Sequence, residues 1–255
     1  MSSSIRPGNN PEQAPLHQCA LLLADRELPD GWELVGSSAY ARVAHNQEEQ
    51  LYYKEFLPRS PVEKIKAVFK GSRGTRARKQ SEALQISGFN APTNLAWGKL
   101  PGAREYLFTR TVRGEGVDVW IRSILSGKGG AELGERRLFL RQLGIVIGRL
   151  HATGFIHGDL RTSNVLAYRW AGHFEFSLID NERNMQQIPA SGKRLLKNLM
   201  QLNMHLPDEL SRSDRLRFFH AWHSQMKDLS VLEAKLIAAR AYQWAMKRLA
   251  AKDKL

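Results

Sequence analysis

Between residues 113 and 134 the chain changes its hydrophobic rhythm, and this constrains the possible folds more than any other feature. Residues 32–56, WELVGSSAYARVAHNQEEQLYYKEF, alternate apolar and polar positions around small turn residues, which predicts two or three antiparallel strands. REYLFTRTV at 104–112 reads as another strand. Beyond the change, Phe139, Leu143, Val146, Ile147 and Leu150 recur at helical spacing, and everything past about 190 is helical in pattern. Leu232, Leu236, Ala239, Met246 and Leu249 form the last apolar stripe, while NVLAYR and HFEFSLID read as two short strands. Strands gathered ahead of helices predict an α+β chain in two parts, 31–112 and 113–255, joined through the Gly-rich stretch at 113–134.

Within the first part, SPVEKIKAVFKGSRGTRARKQSEALQISGFNAP carries a helical run, a basic centre broken by Gly71 and Gly74, and a second helical run ending near Gly88. The opening MSSSIRPGNNPEQAP holds one basic residue, Arg6, and leads into no apolar stretch of signal-peptide length. Residues 1–30 are therefore read as a disordered or loosely packed lead-in. The apolar run CALLLA at 19–24 falls far short of the roughly 20 residues a membrane span needs. Cys19 is the single cysteine, which excludes an internal disulfide. A net charge of +13 favours polyanionic partners without choosing among nucleotides, phosphorylated sugars, acidic lipid headgroups and nucleic acid.

Chemistry enters at GFIHGDLRTSN, residues 154–164, where Asp159 stands five positions before Asn164 in a polar loop. Such a loop could be a plain connection, but LID follows, with Asp180 at the end of an apolar strand where a carboxylate has no packing role. An Asn and an Asp there would supply the hard oxygen ligands that Mg²⁺ prefers. Upstream, LYYKEF places Lys54 in a strand. Before it, GSSAYARV follows the spacing of the kinase glycine loop from Gly36 through Ser37 to Val43, with Ser38 and Ala41 at the second and third glycine positions. Each of these taken alone has an ordinary structural reading. Their order, with Glu82 on a helical run between the lysine strand and the next strand, preferred as the lysine's partner to Glu63 ahead of the basic stretch, is what makes a set of them.

On those residues the chain resembles the protein-kinase-like superfamily, and more closely the bacterial lipopolysaccharide core (Kdo and heptose) kinases, over roughly 31–220. Carriers of the closer likeness are YYKEF, FKGSRGTRARKQSEAL, IGRLHATGFIHGDLRTSNVL, FSLIDNERN, KRLLKNLMQLN and SDRLRFFHAW. The resemblance implies a bilobal protein-kinase-like fold, with a small β-rich N-lobe over 31–112 and a larger, mainly helical C-lobe over 113–255. It also implies ATP and Mg²⁺. Lys54, held by Glu82, would contact the α- and β-phosphates under the Gly36–Val43 loop, with adenine received near Thr111 and Val112. Asn164 and Asp180 would hold the metal, Asp159 would take the proton of a sugar hydroxyl, and Arg161 would face the moving phosphoryl group. His157 reads as structural, tying its loop to the neighbouring strand.

Two departures from protein kinases narrow the acceptor. Asp180 is followed by Asn181 and Glu182 rather than Phe-Gly, and no Ala-Pro-Glu follows, which leaves no room for a peptide-docking activation segment. Gly158 stands in HGD where many protein kinases carry the arginine that senses a phosphorylated loop. The implied acceptor is a lipid A-linked core glycolipid, with the enzyme cytoplasmic and peripheral on the inner membrane. Lys64, Lys66, Lys70, Arg73, Arg76, Arg78 and Lys79 form a run without an acidic residue, read either as a solvated face or as a contact for anionic acceptor groups or an anionic membrane surface. Competing readings are a kinase for a soluble acceptor such as an aminoglycoside, an atypical protein kinase, and a non-catalytic binding protein. The excess of Lys and Arg opposes the acidic pocket that cationic drugs need. Nucleic acid is not an expected partner, because aromatic residues do not interleave with the basic run.

Overall fold

The structure, a computed structural model, describes residues 13–58, 71–127 and 129–252 and divides the chain into two compact units, Met1–Val112 and Arg113–Leu255. Lys64, Lys66, Lys70, Glu63 and the first helical run of the basic stretch lie outside the described residues.

The first unit is a five-stranded antiparallel sheet of β1 (Trp32–Ser38), β2 (Ala41–Asn46), β3 (Leu51–Phe56), β4 (Asn94–Leu100) and β5 (Arg104–Arg110), in the order β1-β2-β3-β5-β4. Helix α1 (Gln13–Ala24) covers one face. Its Ala20, Leu23 and Ala24 are buried against Ala44, Tyr53, Ala96, Tyr106 and Phe108. Helix α2 (Arg73–Ile86), capped by Ser72 accepting from the Thr75 amide, covers the other face, where Ala77 packs on Phe56 and Leu107. Residues 106, 107 and 108 thus alternate between two cores, as the two-residue period of a strand requires. Residues 13–24 therefore do not belong to a loose lead-in. The apolar stretch read there as too short for a membrane is a packed helix.

The same alternation separates Lys54 from Glu55. Lys54 lies opposite Leu107 on the α2 side, with Nζ 5.4 Å from the centre of the Phe56 ring. Glu55, fully buried on the α1 side, takes ion pairs from Arg42 at 3.1 Å and Arg104 at 3.0 Å. Those two arginines also donate to the Leu23 and Ala24 carbonyls, so the last turn of α1 has its free acceptors satisfied by cations.

In the second unit, β6 (Glu115–Gly116), β8 (Val165–Trp170) and β9 (His173–Leu178) form a three-stranded sheet, and β7 (Phe155–Ile156) pairs with β10 (Met185–Gln186). Around them lie α3 (Gly130–Ala152), α4 (Gly192–Leu202), α5 (Arg212–His223) and α6 (Val231–Ala250). Four residues of the α3 stripe, Phe139, Leu143, Ile147 and Leu150, are buried as the period predicts, and Val146 is half-buried. Helix α5 lies so close to α3 that a Cβ on Gly144 would stand 2.4 Å from the Phe218 carbonyl oxygen. Buried Arg136 of α3 pairs with Asp214 of α5 at 3.1 Å. The α6 stripe is different: Leu232 and Leu236 are 68% and 53% exposed, and the buried residues are Ala234, Ala241, Ala245 and Leu249. Small side chains let α6 approach α4 closely, which outweighs burial of the larger leucines. Among the described residues, no helix is long and apolar enough to cross a membrane.

Candidate active site

The loop from His157 to Asn164 connects β7 to β8, and a set of polar side chains of α4 holds it. Asn198 Nδ2 donates to the His157 carbonyl at 2.6 Å, and its Oδ1 accepts from the His157 amide at 3.0 Å. Gln201 Oε1 accepts from the Leu160 amide at 3.1 Å, while its Nε2 donates to Asp159 Oδ1. Lys197 Nζ donates to the Gly158 carbonyl at 3.2 Å. At positions 197, 198 and 201 these side chains share one helical face. Position by position they had no role in the sequence reading, although KRLLKNLMQLN was among the segments carrying the resemblance.

His157 joins the loop to the strand that delivers Asp180. Its Nδ1 accepts from the Asp159 amide at 3.1 Å, so the proton sits on Nε2, which donates to the Ile179 carbonyl at 3.0 Å. Burial holds its pKa below the usual histidine range. The structural role read for His157 is the one it has. Behind it, Trp222 Nε1 donates to His151 Nδ1 at 2.9 Å and His151 Nε2 donates to Asn198 Oδ1 at 3.2 Å. Burial pushes the His151 pKa down to about 4, so the chain of bonds is built on neutral rings. A further buried histidine, His205, meets Thr162 Oγ1 of the loop at 3.1 Å and is likewise pushed down to about 4 by burial.

Asp159 has one oxygen on Gln201 and the other on Arg161, whose Nη2 lies 2.7 Å from Oδ2. Arg161 is thus paired with the carboxylate it follows while remaining largely exposed. Asn164 Nδ2 donates to the Asp159 carbonyl at 2.8 Å, which leaves Oδ1 as the atom it can offer elsewhere. The Asn164 carbonyl accepts from Ile179 at 3.0 Å, placing Asp180 one residue beyond that rung. Asp180 is exposed and adopts a left-handed backbone, φ 59° and ψ 48°.

The segment after Asp180 is pinned by amides. Asn181 Nδ2 donates to Leu178 O at 2.8 Å, Asn184 Nδ2 donates to Asn181 Oδ1 at 2.9 Å, and Asn184 Oδ1 accepts from the Gly158 amide at 3.2 Å. A Cβ on Gly158 would stand 2.1 Å from Arg183 Cβ and 2.6 Å from the Arg183 carbonyl group. Glycine at the centre of HGD is therefore a packing requirement, with the backbone of the 181–184 turn occupying the space.

An Asn oxygen and an Asp carboxylate at adjacent strand ends fit a hard divalent cation that takes its remaining ligands from phosphates and water. Among the described residues, no three His, Cys, Asp or Glu side chains converge into an all-protein metal cage.

In the first unit, Gly36 to Val43 form the β1–β2 hairpin, with Ser37 Oγ donating to Val35 O at 2.9 Å and accepting from the Val43 amide at 3.1 Å. Ser38 Oγ accepts from the Tyr40 amide in the turn. Lys54 lies on β3, as the alternation requires. Glu82 has a different job from the one read for it. Among the described residues its carboxylate is held by Arg78 at 2.9 Å and Asn94 at 3.3 Å, because the i,i+4 arginine reaches it first and its helical face looks toward β4. Thr111 Oγ1 meets His45 Nε2 at 3.2 Å, and Val112 is the last residue of the unit. The described part of the basic run is largely spent internally. Arg73 is buried on the Tyr40 and Leu57 carbonyls, Arg76 donates to Gly71 O, and Arg78 stacks over Trp97 while pairing with Glu82.

Residues 103–222 match the family model described as the lipopolysaccharide kinase (Kdo/WaaP) family. No curated protein sequence matches the chain. Among solved structures, WaaP in complex with acyl carrier protein superposes with a TM-score of 0.63 at 16% identity, over 92% of this chain and 97% of that one. The aminoglycoside phosphotransferase APH(3'')-Id from Streptomyces rimosus gives 0.50 at 15% identity, over 91% and 98%. The fold is kinase-like, with a sheet-rich first unit and a helical second unit.

Proposed function

From residues 103–222, which carry the lipopolysaccharide kinase (Kdo/WaaP) pattern, we propose that this chain is an ATP-dependent kinase that phosphorylates a sugar hydroxyl of the lipopolysaccharide inner core. The observation that carries the reading is the hold on Asp159. Its carboxylate is oriented by Gln201 and Arg161 and borders a cavity of about 910 Å³ in the second unit, room enough for a sugar.

Asp159 accepts the proton of the acceptor hydroxyl as that oxygen bonds to the γ-phosphorus, and the bond from phosphorus to the ADP oxygen breaks. General-base assistance of this kind is worth about 10²- to 10⁴-fold in rate. Arg161 exchanges its pairing with Asp159 for the developing phosphoryl charge. Asn164 Oδ1 and Asp180 would hold Mg²⁺, which when bound neutralises phosphate charge. Lys54, under the Gly36–Val43 hairpin, would contact the α- and β-phosphates, with Thr111 and Val112 at the adenine. No partner for Lys54 is proposed at Glu82, whose carboxylate is engaged elsewhere.

The acceptor is anchored in a membrane, so we place the protein at the cytoplasmic face of the inner membrane as a peripheral component. Washing membranes with high salt should release it; attachment that survives the wash counts against this placement. Activity is tested with labelled ATP, Mg²⁺ and purified core glycolipids, using Asp159→Ala as control. Transfer that disappears in the variant supports the proposal. Absence of transfer to every core acceptor, or equal transfer by the variant, overturns it.

A further inference from the structure

The cavity beside Asp159 is charged unevenly. Its lining brings five cations, Arg122, Arg161, Lys197, Arg248 and Lys252, against the carboxylates Asp118, Asp159 and Glu209. Two cations are already matched: Arg122 pairs with Glu209 at 2.9 Å and Arg161 with Asp159 at 2.7 Å. Among the described residues, Lys197, Arg248 and Lys252 pair with no carboxylate. Lys197 spends one of its three protons on the Gly158 carbonyl and keeps two. Arg248 and Lys252 come from the last turn of α6 and the residues just after it, where helix C-terminal carbonyls tolerate cations well. Leu249 joins Met200 and Met204 in giving the same cavity an apolar side.

We infer that Lys197, Arg248 and Lys252 form an anion-binding subsite for a phosphate or carboxylate group carried by the acceptor itself, next to the hydroxyl that reacts. The inference rests on the kinase reading above and adds what that reading lacks, a recognition element for the acceptor's charge. Arg248 and Lys252 lie beyond residue 222, where the family match ends, and line the cavity from the last turn of α6 and the residues just after it. It also moves acceptor recognition away from the basic run at 73–79, where Arg73, Arg76 and Arg78 already have partners within the first unit. A cation beside Asp159 gives an anionic acceptor a fixed register, with charge-assisted bonds holding one group while the neighbouring hydroxyl faces the base.

The test uses the full chain with Arg248→Gln and Lys252→Gln combined, leaving Lys197 and the Asp159 loop intact. With a non-hydrolysable ATP analogue saturating the nucleotide site, inorganic phosphate and glucuronate are titrated against thermal unfolding, with glucose as the neutral control. The subsite predicts that at least one of the two anions raises the Tm of the wild type, that glucose does not, and that the variant loses the shift while keeping the shift due to nucleotide. Whether phosphate or glucuronate acts identifies the anion's source. In turnover, the variant's KM for an anionic core acceptor should rise at least about tenfold, with KM for ATP unchanged. With an acceptor from which the anion has been removed, wild type and variant should be equal. Anion shifts that persist in the variant, or equal KM values for the anionic acceptor, overturn the subsite. If no core acceptor is phosphorylated and yet the anion shift depends on Arg248 and Lys252, the lipopolysaccharide reading fails and the subsite stands.

Discussion

Asn198 brackets His157 from both sides, donating to its carbonyl at 2.6 Å and accepting from its amide at 3.0 Å. A single amide side chain on α4 thus replaces the strand partner that His157 lacks once β7 has ended. Because His157 in turn contacts the Asp159 amide and the Ile179 carbonyl, the positions of both acidic residues depend on that amide.

Replacing it should show as stability first. Asn198→Leu leaves the buried His157 backbone N–H and C=O and the His151 Nε2–H without partners, while His151 Nδ1 keeps Trp222, at a cost of roughly 1–3 kcal/mol for each buried group left unsatisfied. Urea unfolding should give a loss of at least about 2 kcal/mol for this variant. Asn198→Asp, which keeps the acceptor but not the donor, should lie between it and the wild type. Stability unchanged in Asn198→Leu would show that the loop is held some other way.

Gly158→Ala should damage catalysis more than folding. The new methyl group meets Arg183 backbone, which cannot swing away as a side chain can, so the loop carrying Asp159 must move. A displacement near 1 Å in a positioned base costs about 10²-fold in rate. Adding Arg183→Gly removes the Cβ contact and leaves the carbonyl contact, so it should rescue only a small part of kcat. Full rescue by Arg183→Gly would place the conflict in the side chain instead.

Asp180 carries backbone strain that can be separated from its chemistry. A left-handed conformation costs a non-glycine residue about 1–3 kcal/mol, less for Asp than for most residues. Asp180→Ala should therefore be less stable than Asp180→Gly by about 1 kcal/mol, both variants lacking the carboxylate and differing in the cost of the left-handed backbone. Both should lose phosphoryl transfer and its dependence on Mg²⁺. Thermal melts of the pair read the backbone term, and activity reads the carboxylate. Activity retained in either variant removes Asp180 from the metal site.

Acid should unfold the protein through its buried histidines. His151 and His205 have folded pKa values near 4, below the unfolded value of about 6.5, and His157 is shifted in the same direction, all by burial. Above pH 6.5 they are neutral in both states and cost nothing. As pH falls from about 6.5 toward 4, the unfolded chain binds protons that the folded chain refuses, and each of His151 and His205 withdraws on the order of 3 kcal/mol. Urea midpoints measured between pH 7.5 and 4.5 should fall with pH, with His151→Asn combined with His205→Asn falling less steeply. A flat profile to pH 5 would contradict the burial of neutral rings.

Much of this protein is determined locally and so can be read along the chain. The alternation in 32–56 and 104–112 became β1, β2, β3 and β5, because one face of each strand must be apolar whatever it packs against. The spacing of Phe139, Leu143, Ile147 and Leu150 became the buried face of α3 for the same reason. Asp159, Asn164 and Asp180 stood out because polar residues in a loop and at a strand end have no packing role to explain them. Tertiary structure decided the rest, where the outcome depends on a partner distant in sequence. Residues 13–24 became a core helix only because the sheet offered it Ala44, Tyr53 and Phe108. Glu82 was taken by Arg78 and Asn94, Leu232 and Leu236 of α6 lost the buried face to Ala234, Ala241 and Ala245, and Gly158 answered to the backbone of Arg183. The grip of Asn198 and Gln201 on the loop exists only once α4 lies across it, since hydrogen-bond partners some forty residues apart leave no periodic trace in either segment.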